Sequence, residues 1–566
     1  MRGLGLLLAL CACQKAPVEE PLETAQTDTS TTETPATDTP ETDTPALDTA
    51  PPSRVTLTLG APVLCANVAE RDARGPFAMF SLEGWSDGQA HTQGGNGALV
   101  DLDGDGFVDI LAVGEGELRV WWGDGRSVWT ALPHETIATA TRTGVQEGLF
   151  GAVPSDLDAD GDLDLVVSGR AAANLILEQR SPRQFVDVAA GYGVAADEDR
   201  YTSGASLADV DGDGDLDLFF GGHGFLDETV ATPNQLPPGD RDRLYLREGA
   251  GFVDVSDNLP TIAHDGWAFL GAWFDADEDG DLDLYLVNDF GGSVEPSILL
   301  VNDGAGHFTH IPGGFGLDQP IAAMGLGLGD LNGDGTEDVS LVAWDINRLF
   351  LSQAGGWFES ATAYGFVPGK EQTVGWGVEA ADIQNDGWTD LMVAYGYVAT
   401  GFGGGNTRIQ RDAVYLNQGN GSLIDAAETF GVADAGPTRG VALGDLNRDG
   451  WLDVLKVRTD GEVSLGVSRC GSASWMMLGL RQPGPNPRAV GATVRAWAGD
   501  RVWIRRIREG GTGYGVGQPH ELHFGLGMVE RLDRVEITWP DGQVDTLLDV
   551  PTRGHHRVER HDLALP

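Results

Sequence analysis

The sequence is poor in basic residues, in cysteine and in long apolar runs. Its 566 residues hold 36 Lys and Arg against 86 Asp and Glu, which gives a formal net charge of -50 at pH 7. A protein that binds nucleic acid needs a basic face to neutralise phosphates, so this charge argues against nucleic-acid partners. Beyond the N-terminus, no stretch approaches the ~18 apolar residues that cross a bilayer, so no membrane-spanning helix is expected.

Signatures of catalysis are also scarce. The sequence contains no H-E-x-x-H motif, no P-loop and no cysteine and histidine cluster with zinc spacing. His520 and His523 lie on either side of Glu521. A structural role is expected for His523, and an acid-base or metal role is the alternative. The histidines of the polar C-terminal tail, such as His555, are expected to be solvated. We therefore predict that the protein is not an enzyme.

One pattern dominates instead, an acidic loop with carboxylates or amides at positions 1, 3, 5 and 9 and glycine at position 6. It recurs seven times, at intervals of 55, 53, 66, 55, 52 and 63 residues. A period of this size indicates stacked supersecondary units. The candidate metal ligands, loop by loop, are Asp101, Asp103, Asp105 and Asp109; Asp156, Asp158, Asp160 and Asp164; Asp209, Asp211, Asp213 and Asp217; Asp275, Asp277, Asp279 and Asp283; Asp330, Asn332, Asp334 and Asp338; Asp382, Gln384, Asp386 and Asp390; Asp445, Asn447, Asp449 and Asp453.

The spacing within each loop suits a hard cation such as calcium. Oxygen ligands converge from positions 1, 3 and 5, a backbone carbonyl enters at position 7, a last carboxylate closes the shell, and glycine permits the chain reversal. Solvated Asp-Gly turns are the alternative, but clustered carboxylates would repel one another without a cation. We therefore predict up to seven Ca²⁺ ions. The sixth loop is predicted to be the weakest, because the longer Gln384 must fold back to ligate.

Short β-rich runs flank every loop. A small, apolar run precedes it, as at 97–100, and a second apolar run follows it, as at 107–113. A third strand and an aromatic-led fourth strand complete the unit, as at 243–246 and 251–255. Four short strands in roughly 55 residues make one blade of a β-propeller, with the metal loop between the first two strands. The predicted fold is an all-β, seven-bladed β-propeller with calcium loops, followed by a small C-terminal β domain.

The repeat resembles the FG-GAP (VCBS, integrin α-type) repeat, and the sequence after it resembles the ASPIC/UnbV domain. The second resemblance rests on four stretches, residues 486–492, 510–514, 522–527 and 535–542. The chain departs from the family at 515–518, where Gly-Val-Gly-Gln stands in place of the usual Ser-Gln. The resemblance implies a propeller over 54–470 and an ASPIC/UnbV-like β domain over 471–566.

The N-terminus predicts an exported, lipid-anchored protein. An apolar stretch leads to Leu10-Cys-Ala-Cys13, which resembles the lipobox of a bacterial lipoprotein, so residues 1–13 are predicted to be a signal peptide with lipidation at Cys13. A soluble secretory signal is the alternative. Residues 14–53 are acidic, rich in Thr and Pro and free of aromatics, which predicts a disordered tether. The expected location is extracytoplasmic, on a bacterial outer membrane, facing either the periplasm or the surface.

These features predict a binding or adhesion module attached to the membrane through its lipid alone. Two long insertions, Gly222–Arg241 and Tyr395–Arg411, separate strands two and three of their blades and emerge opposite the metal loops. Functional loops concentrate on such rims, so a protein or glycan ligand is predicted there. Trp267 and Trp376 are candidate contacts, with core packing as the alternative. A glycan lyase or hydrolase that uses the propeller funnel, and a purely structural envelope component, are the competing functions.

Two cysteines remain once the signal segment is set aside. Cys65 and Cys470 are predicted to form a disulfide, because thiol pairs usually oxidise in exported proteins. The seventh repeat supplies only three strands before the next domain begins. The apolar stretch Val55–Val63 is predicted to donate the fourth strand, which would close the ring and bring Cys65 to Cys470.

Overall fold

The computed structural model describes residues 54–65, 68–69, 71, 76–82, 95–114, 116–125, 132–139, 148–194, 200–224, 236–368, 373–397, 410–514 and 520–561. The predicted lipoprotein signal, Cys13 and the tether lie outside these residues. No helix within them is long and apolar enough to cross a membrane. Helices are short, as in α1 (Ala361–Tyr364) and α2 (Ala427–Phe430), with 3-10 turns at Ser256–Asn258, Thr261–His264 and Gly314–Gly316.

The described chain is built from short strands. In chain order they are β1 (Val55–Thr58), β2 (Phe77–Ser81), β3 (Asn96–Val100), β4 (Asp109–Gly114), β5 (Glu117–Trp121), β6 (His134–Thr139), β7 (Leu149–Ser155), β8 (Asp164–Gly169), β9 (Leu175–Ser181), β10 (Gln184–Asp187), β11 (Thr202–Ala208), β12 (Asp217–Gly222), β13 (Arg243–Glu248), β14 (Gly251–Asp254), β15 (Trp267–Phe274), β16 (Asp283–Asp289), β17 (Ile298–Asn302), β18 (Phe308–His310), β19 (Ala323–Gly329), β20 (Asp338–Ala343), β21 (Asn347–Gln353), β22 (Gly356–Glu359), β23 (Gly375–Ala381), β24 (Asp390–Tyr395), β25 (Ala413–Asn417), β26 (Leu423–Asp425), β27 (Thr438–Gly444), β28 (Asp453–Arg458), β29 (Val463–Ser468), β30 (Ser474–Arg481), β31 (Thr493–Ala498), β32 (Arg501–Arg506), β33 (Glu509–Gly510), β34 (Glu521–Gly527), β35 (Arg531–Thr538), β36 (Val544–Pro551) and β37 (Gly554–Arg560).

Each acidic loop joins the first two strands of an antiparallel sheet. In the described residues these sheets, here called blades one to seven, are β3–β6, β7–β10, β11–β14, β15–β18, β19–β22, β23–β26, and β27–β29 with β2. Their first strands lie side by side in the order β3, β7, β11, β15, β19, β23 and β27, and β27 returns to β3. The first strands therefore line the centre of a closed ring, which confirms the predicted β-propeller architecture.

Small residues in the first strands permit this close approach. A Cβ added at Gly440 on β27 would lie 2.3 Å from the carbonyl oxygen of Gly95, which directly precedes β3. Six of the seven first strands are buried along their whole length, and β23 is buried over its first five residues. The runs of glycine and alanine before each acidic loop thus reflect packing at the centre of the ring.

The strand that closes the ring differs from the predicted one. β2 pairs with β29, from Phe77 opposite Ser468 to Ser81 opposite Ser464. The predicted closing stretch, Val55–Val63, was wrong, because its strand β1 pairs with β37 at the end of the chain. Phe77 packs on Phe430 of blade six at 5.8 Å between ring centroids, an apolar contact that β1, alternately exposed, does not make.

The predicted disulfide is present despite this change. Cys65 is bonded to Cys470, with 5.5 Å between their Cα atoms. Cys65 lies between β1 and β2, and Cys470 follows β29 by two residues. The bond therefore ties the segment that leads into the closing strand to the end of blade seven.

Two further sheets form the C-terminal domain, in the orders β1-β37-β30-β34 and β32-β31-β35-β36. Val494, Ile537 and Trp539 are buried between them. The domain includes β1, which the sequence boundary at residue 54 had placed in the propeller. β37 pairs in parallel with β30 and antiparallel with β1, so the first and last described strands share one sheet.

A glycine-rich segment of the C-terminal domain enters the centre of the propeller. β33 pairs with β11, so that Gly510 lies opposite Ser206. Further along, Gly513 exchanges two backbone hydrogen bonds with Leu326 on β19, at 2.7 and 3.2 Å. The segment is therefore held between first strands of blades three and five. We call residues 510–514 the channel segment.

The channel segment ends in a buried tyrosine. Tyr514 is 1 % exposed. Its ring lies 5.2 to 5.4 Å, between centroids, from aromatic rings of blades two, four and six, which are Phe150, Phe269 and Trp376. Gly511 has a φ of +77°, and a Cβ there would lie 2.7 Å from the carbonyl oxygen of Gly271. The glycines are thus required by both backbone conformation and space.

Candidate metal centres

The aspartate at position 9 is a structural anchor in every acidic loop. In loop one, Oδ2 of Asp109 accepts the N–H of Leu102 at 2.9 Å, and Oδ1 accepts the N–H of Gly123 at 2.7 Å. The same two bonds, one to position 2 of the loop and one beyond the second strand, recur at Asp164, Asp217, Asp283, Asp338, Asp390 and Asp453. Sequence reasoning had assigned this position to the metal alone.

The other carboxylates are held by bonds within the loop. Oδ2 of Asp101 accepts the N–H of Gly106 at 3.0 Å, Oδ1 of Asp103 accepts that of Asp105 at 3.1 Å, and Oδ1 of Asp105 accepts that of Phe107 at 2.9 Å. Gly106 has a φ of +91°, which a residue with a Cβ rarely adopts. This turn directs the side chains at positions 1 and 3 toward that at position 9.

Carboxylate oxygens converge in the first four loops. Within the described chain, groups of three whose ligand atoms lie within 4.8 Å of one another are Asp101, Asp103 and Asp109; Asp156, Asp158 and Asp160; Asp209, Asp211 and Asp217; and Asp275, Asp277 and Asp279. Loops five to seven carry an amide at position 3 and form no such carboxylate group. Their predicted ligands Asn332, Gln384 and Asn447 provide an oxygen without a charge.

Unpaired oxygens in these loops fit a cation. Oδ1 of Asp101, Oδ1 of Asp275 and Oδ1 of Asp277 are buried without a hydrogen-bond partner. Burying a carboxylate oxygen without compensation costs free energy. A divalent cation with oxygen ligands, such as calcium, would supply that compensation.

The pKa values of the position-9 carboxyls indicate the same charge imbalance. Burial, with a smaller contribution from neighbouring carboxylates, raises the pKa of Asp109, Asp164 and Asp283 to about 7. It raises the pKa of Asp217 to about 8. Backbone N–H groups lower these pKa values but do not offset burial. Burial also raises the pKa of Asp338 to about 8 and those of Asp390 and Asp453 well above the usual range, so all seven loops hold buried negative charge that the protein itself does not neutralise.

Two protein families match stretches of this sequence. FG-GAP-like repeats match residues 156–220, 275–341, 330–393 and 398–455, and the ASPIC and UnbV family matches residues 482–563. The chain is an FG-GAP repeat protein with a C-terminal ASPIC/UnbV domain. The predicted resemblance is thereby confirmed.

Curated relatives match most of the length of the chain. Cartilage acidic protein 1 of Mus musculus is 25% identical over 475 residues, which span 70% of this chain and 71% of the relative. The Homo sapiens protein is 24% identical over 515 residues, 77% of this chain and 74% of the relative. Among solved structures, an Agrocybe aegerita lectin that recognises non-reducing terminal N-acetylglucosamine has a TM-score of 0.36 at 17% identity, covering 64% of this chain and 92% of the lectin. BBS1N in complex with ARL6DN has a TM-score of 0.37 at 13% identity, covering 68% and 96%.

The ASPIC/UnbV domain lies on the acidic-loop face of the propeller. Arg488 donates to the carbonyl of Gly161 in loop two at 3.2 Å. Arg508 pairs with Glu337, the eighth residue of loop five, at 2.5 Å, and this pair lowers the pKa of Glu337 although the carboxyl is buried. Sequence reasoning had not predicted any contact between the two domains at this face.

The histidines of the domain have structural partners. Nε2 of His520 lies 3.0 Å from Oε1 of Glu509, and Nε2 of His523 lies 3.3 Å from the carbonyl of Gly450. His523 thus has the structural role that the sequence favoured. The expectation that His555 is solvated was wrong, since its Nε2 lies 3.3 Å from Asp445 at the start of loop seven.

The two candidate ligand tryptophans are core residues. Trp267 is 0% and Trp376 is 2% exposed, so the core-packing alternative is correct. Each one donates its indole N–H to an insertion, Trp267 to the carbonyl of Pro237 at 3.0 Å and Trp376 to that of Gly396 at 2.8 Å. They anchor the bases of the insertions, whose residues 225–235 and 398–409 lie outside the described chain.

Proposed function

We propose that this FG-GAP repeat protein is a calcium-binding, lipid-anchored module of the cell envelope that binds a protein or glycan ligand. The two families indicate a module of the binding or adhesion type. We propose, in addition, that this module binds calcium, carries a lipid anchor, lies in the cell envelope and has a protein or glycan ligand. The observation that carries it is the set of four carboxylate groups, in loops that each also hold a buried carboxylate oxygen without a hydrogen-bond partner.

Calcium would have a structural role in this proposal. The aspartates at positions 1 and 3, with the one at position 5 or 9, would hold the ion. The position-9 carboxylate also joins the loop to the residues beyond the second strand. An ion bound at this point would neutralise charge where strands one and two of a blade separate. It therefore stabilises the blade, and with it the opposite ends of the same strands, where the insertions begin.

The ligand is proposed to bind at the rim opposite the acidic loops. Both long insertions leave the blades at that end, on bases fixed by Trp267 and Trp376. The channel segment and Tyr514 occupy the centre of the ring between blades two, four and six. This occupancy favours a rim-binding module over an enzyme that works in the funnel, so we propose no catalytic activity.

The envelope location rests on the sequence. The lipobox-like Leu10–Cys13 would carry the lipid at Cys13, and residues 14–53 would act as the tether. At ~3.1 Å per residue for an extended polyproline chain, forty residues reach at most about 120 Å from the membrane. Replacement of Cys13 by Ala should move the protein from the membrane to the soluble fraction, and an unchanged distribution would contradict the anchor.

Deletion of the insertions tests the ligand face. Residues 225–235 and 398–409 are each replaced by a short Gly-Ser linker, and binding is measured on a glycan array and to intact cells in millimolar calcium. The expected result is loss of binding with an unchanged melting temperature. A matched control shortens the loop over 292–295, at the same end but smaller. Full binding by the double deletion would contradict the assignment.

A further inference from the structure

Loop six is covered by the ASPIC/UnbV domain. Its Gly387 carbonyl accepts hydrogen bonds from the guanidinium of Arg501 at 2.5 Å and from the indole N–H of Trp503 at 3.0 Å. The N–H of Gly527 donates to the carbonyl of Asn385 at 2.8 Å. Three groups of one domain thus contact the backbone of a single acidic loop.

The first carboxylate of loop six is enclosed by this contact. Asp382 is 0% exposed, and a Cβ at Gly525 of the domain would lie 2.0 Å from its Oδ2. Only glycine permits the domain backbone to approach this closely. Within the loop, the amide of Gln384 donates to Oδ2 of Asp386 at 2.7 Å. The side-chain amide that would ligate calcium is thus engaged with a carboxylate of its own loop.

Loop seven receives a histidine side chain from the same domain. Nε2 of His555 lies 3.3 Å from Oδ2 of Asp445, which is 4% exposed. Trp475 packs over Gly450, whose added Cβ would lie 1.8 Å from the indole ring. The Gly450 carbonyl also accepts the amide of Asn385, which joins loops six and seven beneath the domain.

Loops one to four differ from loops six and seven in the hydrogen bonding of their carboxylates. Buried, unpaired carboxylate oxygens occur in each of them, at the candidate ligands Asp101, Asp275 and Asp277 and, in loops two and three, at the position-7 residues Asp162 and Asp215. Loops six and seven, both fully described, contain none. The domain also touches loop two, where Arg488 is 4.0 Å from Asp156, but Asp156 there remains grouped with two other carboxylates.

We propose that loops six and seven receive the ASPIC/UnbV domain in place of calcium, while loops one to four bind the metal. The inference rests on the proposed calcium function and assigns it to particular blades. Loops six and seven have an amide in place of an acid at position 3. The domain places Arg501 against loop six and His555 against loop seven. Repeats of one design thus serve two purposes, metal binding on one part of the ring and domain docking on another.

Matched variants at position 3 test the proposal. Asp277→Ala in loop four and Asn447→Ala in loop seven remove the equivalent ligand, and both side chains lie at or near the surface. Bound calcium is counted by equilibrium dialysis and by native mass spectrometry on the whole protein. Asp277→Ala should lose one calcium per chain, whereas Asn447→Ala and Gln384→Ala should keep the wild-type number.

The possible outcomes are distinct. Loss of one calcium from Asn447→Ala or Gln384→Ala would overturn the inference and leave the proposed calcium function intact. A wild-type protein that binds no calcium would overturn both. A second measurement covers misfolding: His555→Gln should lower the melting temperature by the same amount in calcium and in EDTA, because no ion competes at loop seven. A melting temperature that His555→Gln lowers only in EDTA would contradict the proposal.

Discussion

Replacement of Tyr514 by Ala tests whether the channel segment holds the propeller and the ASPIC/UnbV domain together. The ring is 1% exposed and contacts three aromatic rings from alternate blades. Truncation of a buried aromatic side chain to alanine costs about 3–5 kcal/mol, because transfer free energy is lost and a cavity remains. We expect a loss in this range, at the upper end, because blades two, four and six lose the same contact.

Tyr514→Phe is the matched control. The phenol oxygen is buried and has no hydrogen-bond partner in the described structure. Removing a hydroxyl that makes no bond while keeping the ring should therefore change the free energy of unfolding by less than about 0.5 kcal/mol.

Urea unfolding followed by tryptophan fluorescence measures both variants. Limited proteolysis reports separately whether the domain is released from the ring. A Tyr514→Ala protein within about 0.5 kcal/mol of wild type and equally resistant to protease would refute the structural role of the channel segment.

Three further changes have defined outcomes. Double replacement of Cys65 and Cys470 by Ser should cost about 2–5 kcal/mol, and non-reducing peptide mapping of the native protein should recover one linked peptide; two free thiols would contradict the bond. Burial lowers the pKa of His523 to about 3, so the unfolded chain alone gains this proton below pH ~6.5. The free energy of unfolding should then fall by about 1.4 kcal/mol per pH unit as the pH drops from 6.5 toward 3, and His523→Gln should remove that part of the pH dependence. Urea unfolding that gives the same loss of free energy between pH 7 and 5 for wild type and variant would count against it. Asp338→Asn keeps one acceptor oxygen for two buried N–H groups, so it should cost about 1–3 kcal/mol in EDTA as well as in calcium; a variant as stable as wild type in EDTA would show that the position serves the metal alone.

The repeating part of the fold was readable from the sequence because each blade is local. Seven loops of one spacing, each followed by a short apolar strand, predict where strands begin and end, and β4 does begin at the last residue of its loop, Asp109. Alternating aspartates likewise predict converging oxygens, because the turn is formed by bonds within the loop.

Long-range pairing was not readable in the same way. Val55–Thr58 and Phe77–Ser81 are both short apolar runs beside Cys65, and only the edges available to pair with them decide which one closes the ring. His555 meets Asp445 across 110 residues, and nothing local to either residue signals that contact. The glycines of residues 510–514 indicate a close backbone approach, but they do not indicate that the neighbour is the inner wall of the propeller.

Tryptophan burial shows a further limit. Trp267 and Trp376 were predicted to lie near the rim that carries the insertions, with a ligand role and core packing as the alternatives. In the folded protein each ring is enclosed, and only its N–H reaches the insertion. The side chains that would contact a ligand at this rim belong to the insertions themselves.

Thermal unfolding in millimolar calcium and in excess EDTA tests the central claim most directly. Each site saturated at about one hundred times its dissociation constant adds about 2.7 kcal/mol to the stability of the folded state. Clusters of buried carboxylates in loops one to four should therefore give a markedly higher melting temperature in calcium, and magnesium at the same concentration should reproduce little of it. A melting temperature unchanged between calcium and EDTA would contradict the account.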